Sequence, residues 1–405
     1  MKKIAIAMPI PRLGILTGLA FIEFVRNALM LTILPNSALS AVALGPAGVG
    51  FAISAHYLFD NLLRTPSGLL IDHFGAPKTL TLGLLVASLG ILLIATAQTA
   101  PLFVAGAALF GAGAAPLWPS VVGAVTANAD PNGKAAAMGK IYIAWLIGGG
   151  AGPVVVNFLY ATSYPVIFTL LESLVLIAGF FMLLFHKQFP KPHVASTASI
   201  VSTRRYFSEI IVHLKDIRAL FPIMFMQTFA MGLLIPVLSP YMRTVLQIGP
   251  QLQSVGMIIV GGITATSLPL ASHLIDRIGF RPFLSGGFLF TALMLALFLT
   301  QRAFVPALIC MAFVGVSYAA ILPAWNTILD RAVDERKRGV MWGLFMTVEG
   351  LGTASGPLVS GQLWGQSGIQ APFILSVLVV GLMGVLYLFL RVPTLVERSI
   401  SPKKV

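Results

Sequence analysis

Residues 55–78 read AHYLFDNLLRTPSGLLIDHFGAPK. The first half sets His56, Asp60 and Arg64 four residues apart in an otherwise apolar run of membrane-spanning length. On a helix that spacing stacks three polar side chains along one face. The second half leaves the apolar region through Gly68, Asp72, Gly75 and Lys78, a compact charged turn before the next apolar run. A buried polar stripe joined directly to a rigid turn is the expectation for a membrane protein whose parts move.

Composition supports the membrane reading. Of 405 residues, 57% are hydrophobic and 10% charged, and the mean hydropathy is +0.93. Soluble domains carry about 25% charged residues. A net charge of +13 raises the question of nucleic acid, but no basic helix is interleaved with aromatics. The lone Cys310 rules out an intramolecular disulfide and any multi-cysteine metal site. No group of histidines has metal-ligand spacing, and no Gly-Lys-Ser/Thr phosphate loop is present, so neither a metal cofactor nor ATP is expected.

A spanning helix needs about 20 mostly apolar residues. Twelve candidate spans begin near residues 13, 47, 79, 101, 137, 164, 219, 251, 283, 304, 340 and 369. Lys2, Lys3, Arg12, Lys78, Lys134, Lys140, Arg277, Arg281 and the Arg331–Arg338 cluster fall on one side, against Arg243 and Arg302 on the other. That bias predicts cytoplasmic termini in a multi-pass cell-membrane protein. The polar stretch between spans six and seven divides the chain into lobes at 1–187 and 219–405, with a linker at 188–218. Phe207, Ile210, Ile211, Leu214 and Ile217 recur there at helical spacing, predicting an amphipathic helix held to anionic lipids. Residues 190–203 read equally well as a disordered linker.

The halves repeat. Leu70-Ile71-Asp72-His73-Phe74-Gly75 returns as Leu274-Ile275-Asp276-Arg277-Ile278-Gly279, Trp118 as Trp325, and Gly152-Pro153 as Gly356-Pro357, 204 to 207 positions on. A tandem six-span repeat predicts an all-α fold of two pseudo-symmetric lobes around a central cavity.

The Gly68…Asp72…Gly75…Lys78 signature and its second copy at Asp276, Arg277 and Gly279 resemble the loop motif of the major facilitator superfamily over the whole chain. The resemblance implies that these loops act as conformational switches, with the Asp pairing to basic groups and a helix N-terminus. Further motifs narrow the branch: Ile22-Glu23-Phe24-Val25-Arg26, Asp60, Ala115-Pro116-Leu117-Trp118, Met138-Gly139-Lys140-Ile141-Tyr142…Trp145 and Ile321-Leu322-Pro323-Ala324-Trp325. They resemble the flippases of lipoteichoic-acid anchor glycolipids. In that branch the corresponding Glu, Arg, Asp and two Trp line a hydrophilic pocket for a disaccharide headgroup and for proton coupling. The resemblance thus implies substrate roles for Glu23, Arg26, Asp60, Trp118 and Trp145 and proton coupling by the charged members. The polar stripe adds Arg64 and His56 to the expected proton-coupling set, and Asn27, beside Arg26, joins the expected substrate contacts. Arg64 and Glu349 depart from the pattern.

The residues point the same way unaided. A charge at the bilayer centre costs about 3 kcal/mol on insertion scales, so Glu23, Arg26, Asp60 and Arg64 cost on the order of 10 kcal/mol together. They must pair, either within their own helices for insertion alone or across helices in a working site. Trp118 and Trp145 suit stacking against sugar faces, although membrane tryptophans also form interfacial belts. Gly152-Pro153 and Gly356-Pro357 combine close helix approach with a bend. The second half offers mainly Gln227, Ser239, Thr264 and Ser317, with Glu349 as its mid-span charge. One polar and one apolar half-cavity suit an amphiphile, either a glycolipid or a lipophilic drug, carried by a monomer driven by a proton gradient. A membrane enzyme would instead need its catalytic groups clustered at a surface.

Overall fold

The computed structural model describes residues 10–37, 44–126, 134–161, 163–190, 220–331 and 338–389. Among them are twelve helical rods and no strand. The first six are α1 (Ile10–Ala28), α2 (Gly45–Phe74), α3 (Ala76–Thr96), α4 (Ala100–Ala114), α5 (Lys134–Phe158) and α6 (Tyr164–Leu184). The second six are α7 (Leu220–Leu234), α8 (Pro250–Ile278), α9 (Arg281–Thr300), α10 (Phe304–Arg331), α11 (Arg338–Ser367) and α12 (Ala371–Phe389). A π-helical turn, Leu29–Ile33, extends α1, and short helices at Leu117–Thr126 and Leu238–Thr244 extend α4 and α7.

Ten of these rods are long and apolar enough to cross a membrane by composition alone. The two that are not, α2 and α11, are 30 residues each. They carry Asp60, Arg64 and Glu349, and Gly, Ser and Thr dilute their hydropathy. α1, which carries Glu23 and Arg26, still qualifies.

The chain clusters into two units. The first comprises residues 1–34, 41–43 and 55–196, and the second 35–40, 44–54 and 197–405. In the first, α1 packs against α5 and α6, while α3 packs against α4 and α6. In the second, α7 packs against α11 and α12, α9 against α10 and α12, and α8 against α10. The internal repeat of the sequence is thus a repeat of helix pairings. The core of the second unit is aromatic: Phe288 stacks on Tyr387 at 5.5 Å between ring centres beside buried Trp325 and Phe345. Nearer the other end, Tyr241 packs on Phe298 and Phe373. Asn36, also in this unit, donates to Ser239 Oγ at 2.8 Å, and Gln253 completes that buried polar cluster.

The charged turn read at residues 68–75 is mostly helix. At about 1.5 Å per residue, a 30-residue helix spans about 45 Å against a hydrocarbon core of about 30 Å. The last turns of α2 therefore protrude, and Asp72 is exposed on them. Pro66 and Gly68 do not interrupt α2, and the chain stays helical to Phe74. Gly75 then turns it with φ +88°, and Gly279 repeats the turn with φ +90°. Only glycine adopts that conformation without strain. The amphipathic helix expected around residues 207–217 lies outside the described residues.

Gly152 and Gly356 lie in unbroken helices, and sterics explain the residue type. A Cβ on Gly152 would fall on the Phe24 carbonyl of α1, and one on Gly356 would come within 2.6 Å of Gly232 Cα of α7. Backbone this close cannot yield to a side chain. Gly150, two residues away, faces open space. Gly152→Leu is therefore expected to destabilise the protein by about 3 kcal/mol, at the upper end of overpacking effects. Gly150→Leu should leave the thermal unfolding midpoint in detergent nearly unchanged, and equal midpoints for the two variants would refute the packing argument.

Candidate functional site

The unusual charges of the first unit converge on one cluster. Arg26 Nη1 donates to Glu23 Oε1 at 2.8 Å, one turn away on α1. Arg64 Nη2 donates to Asp60 Oδ2 at 2.7 Å, one turn away on α2. Between the helices, Arg26 Nη2 lies 3.7 Å from Asp60 Oδ1. The two arrangements open at the sequence level, pairing within helices and pairing across them, both occur. Glu23 and Asp60 are 2% and 4% exposed. Two carboxylates and two guanidinium groups leave the cluster formally neutral, which is what makes its burial tolerable.

The two acids are held differently. Asp60 faces an arginine with each oxygen, whereas Glu23 is paired through Oε1 alone and its buried Oε2 accepts no hydrogen bond among the described residues. Tyr57 lies within electrostatic reach of Glu23, Arg26 and Asp60. Trp145 of α5 is an immediate neighbour of Glu23 and is 38% exposed. Trp118 is half-buried and packs on Tyr142 with ring centres 5.7 Å apart. The two tryptophans and Tyr142 give this unit an accessible aromatic surface, which Trp145 joins to the charges.

Two predicted residues are placed less centrally. His56 is fully buried, its ring stacked on Phe110 of α4 at 5.2 Å, with Asp60 and Arg26 as its charged neighbours. A Cβ on Gly111 would strike the His56 carbonyl, so α4 meets α2 at this level. Asn27 Nδ2 donates to the Glu23 carbonyl of its own helix at 3.0 Å, alongside Gly149 of α5. Asn27 therefore braces α1 against α5.

Sequence reasoning missed Tyr57 and Tyr142. Tyr57 was legible, because residues 57, 60 and 64 share a helical stripe more closely than 56, 60 and 64 do. Glu172 of α6 accepts a hydrogen bond from Ser88 of α3. In the second unit Glu349 of α11 accepts from the Trp325 indole at 3.1 Å. Asp72 and Asp276 are exposed at the ends of α2 and α8. Among the described residues no group of His, Cys, Asp and Glu could hold a metal ion.

The family profile described as Major Facilitator Superfamily matches residues 16–218 and 220–404. The chain is 29% identical over 354 residues, 85% of each chain, to a protein named proton-coupled antiporter flippase LtaA from Staphylococcus saprophyticus. It is 27% identical over 356 residues, again 85% of each, to the protein of that name from Staphylococcus aureus (strain MSSA476). Among solved structures, a POT family transporter in complex with a thioalcohol-conjugated peptide is similar with a TM-score of 0.75 at 13% identity, over 95% of this chain and 96% of that one. A D-xylose-proton symporter gives 0.70 at 17% identity, over 93% and 96%. At these identities the structures speak to the fold.

Asp60→Asn strips both arginines of their shared anion and leaves the cluster with an excess positive charge. Removing one partner of a buried pair costs about 3–5 kcal/mol, and the partial exposure of Arg64 puts the expected loss at the lower end of that range. Asp60→Asn/Arg64→Gln restores formal neutrality and should recover part of the lost thermal stability. A double variant less stable than the single one would show that charge balance does not hold the cluster.

Proposed function

The chain belongs to the Major Facilitator Superfamily, and we propose that it is a proton-coupled flippase for a lipid-linked disaccharide of the diglucosyl-diacylglycerol kind. Membership makes it a multi-pass membrane transporter. The finer reading rests on one observation above all: a buried, formally neutral cluster of Glu23, Arg26, Asp60 and Arg64 borders an accessible indole, Trp145. The names carried by the staphylococcal relatives support it.

Each part of the cluster has a task. The indole faces of Trp145 and Trp118 stack on the apolar faces of the two sugars, while Arg26 and Arg64 donate hydrogen bonds to sugar hydroxyls. Glu23 takes the proton, because only one arginine pairs with it, and Asp60 remains the anion that positions both arginines. Protonation of Glu23 releases Arg26 from its intrahelical pair and leaves the cluster positively charged, which disfavours its buried state. Protonation of Glu23 thus sets whether Arg26 is free to bind the substrate, and such linkage couples two gradients. The lobes alternate access around this site, and the basic loops and both termini face the cytoplasm.

Flipping of a fluorescent diglucosyl-diacylglycerol in proteoliposomes, read by an external quencher, tests the reading. The wild type is expected to respond to an imposed pH gradient. Glu23→Gln, fixed in the neutral form, should still flip but lose the response to the gradient, whereas Asp60→Asn should lose flipping at least tenfold. A wild type that flips no glycolipid under any gradient would overturn the substrate. Glu349, a half-buried acid in the second unit, favours a lipophilic cation as the alternative cargo, so efflux of such a dye is the companion assay.

A further inference from the structure

Away from the charge cluster, the first unit holds a cavity of about 950 Å³ where α2 turns into α3 and where α6 ends. Its walls change character along their length. On α3, Lys78, Leu82 and Leu85 lie four and three residues apart on one face, so a cation at the helix end gives way to two leucines deeper in the span. On the facing side, Leu183 lies deeper, and His186 and Lys187 stand at the end of α6. The leucines are mostly exposed: Leu82 by 61% and Leu85 by 60%. The cavity is therefore basic at its rim and apolar below.

Three features give the rim a preference for an anion. No acidic residue lines the cavity, and neither Lys78 nor Lys187 is in an ion pair among the described residues. The N-terminus of the 21-residue α3 opens here, with no acidic residue in its first turn and no side-chain cap from Gly75. The positive end of that helix dipole is thus left to a ligand. The volume stands near the top of the range of about 300–1,000 Å³ for small-molecule sites. That is far more than a bare phosphate fills.

We propose that this cavity binds an anionic glycerophospholipid of the leaflet around it. The phosphodiester sits between Lys78, Lys187 and the α3 N-terminus, and an acyl chain runs along Leu82, Leu85 and Leu183. The ligand is distinct from the flipped cargo, and the site shares no residue with the charge cluster. It adjoins Gly75, the pivot between α2 and α3.

The test places a reporter in the cavity. Leu82→Trp in the full chain, reconstituted in liposomes, is quenched by brominated phosphatidylglycerol or, in parallel, by brominated phosphatidylcholine. The unmodified protein is subtracted as background, and Leu92→Trp, farther along α3, serves as the control. At the strength typical of two lysines near a membrane surface, the Leu82→Trp reporter should favour the anionic lipid by roughly tenfold to thirtyfold. Leu92→Trp should show little preference. Adding Lys78→Gln and Lys187→Gln should abolish the preference, and Lys78→Arg with Lys187→Arg should retain it, which separates charge from folding. Equal quenching by the two lipids, or a preference that survives neutralisation, would overturn the proposal. So would loss of the preference on adding millimolar glycerol phosphate, since the site would then take free phosphate rather than lipid.

Discussion

Everything distinctive in this molecule follows from the need to keep four charged groups inside an apolar bundle without leaving any of them alone. The solution is a chain of contacts in which one carboxylate, Asp60, is shared by arginines from two helices, and one arginine, Arg26, is shared by two carboxylates. No member can change its charge without altering the surroundings of the next. In water such a chain would contribute little, because exposed pairs are screened. In a low-dielectric interior each link is strong and each broken link is expensive. That sensitivity makes the cluster a poor stabiliser, and it is the property that the proposed proton coupling would use.

The cluster depends on packing that brings the right residues to the same level. Gly148 and Gly152 of α5 lie against the backbone of α1 at Ala20 and Phe24, and this seam delivers Trp145, one turn earlier on α5, to Glu23. Gly111 of α4 does the same against His56 of α2. Replacing any of these glycines with a larger residue would separate helices that carry the charges. Backbone contact and charge contact are thus one constraint seen from two sides.

Much of this was legible in the sequence, for identifiable reasons. Apolar run length gives the rods, and the recurrence of Asp72-His73-Phe74-Gly75 as Asp276-Arg277-Ile278-Gly279 gives the repeat, because a turn that needs positive φ admits few residues. Mid-membrane charge singles out Glu23, Arg26, Asp60 and Arg64. Other features depend on three-dimensional placement. Whether His56 or Tyr57 accompanies Asp60 turns on about 100° of helix rotation, which is set by where α4 presents Phe110. That α2 runs on as helix through Asp72 with Pro66 inside it is not what the Pro and Ser of residues 65–68 suggest.

The two units share their packing and differ in their chemistry, and the repeat shows how. A shift of 204 positions carries Gly148 to Gly352 and Gly152 to Gly356, so the seam between the first and fifth helices of each half is conserved in register. The same shift carries Glu23 to Gln227, Asp60 to Thr264 and Trp145 to Glu349. Across that seam the first unit sets an acid on its first helix against an indole on its fifth. The second unit sets an amide on α7 against an acid on α11, and Glu349 is held by Trp325, the repeat partner of Trp118. Duplication preserved the backbone contacts because glycines at close approach cannot vary. The residues between those contacts were free to diverge, and they did so by removing the arginines. A carboxylate held by one indole has a single neutral donor, whereas the two acids and two arginines of the first unit balance in charge. The first arrangement suits one polar group of an otherwise apolar ligand, and the second suits a polar head. The chemical difference between the halves lies in five positions where the repeat fails, those of Glu23, Arg26, Asp60, Arg64 and Trp145.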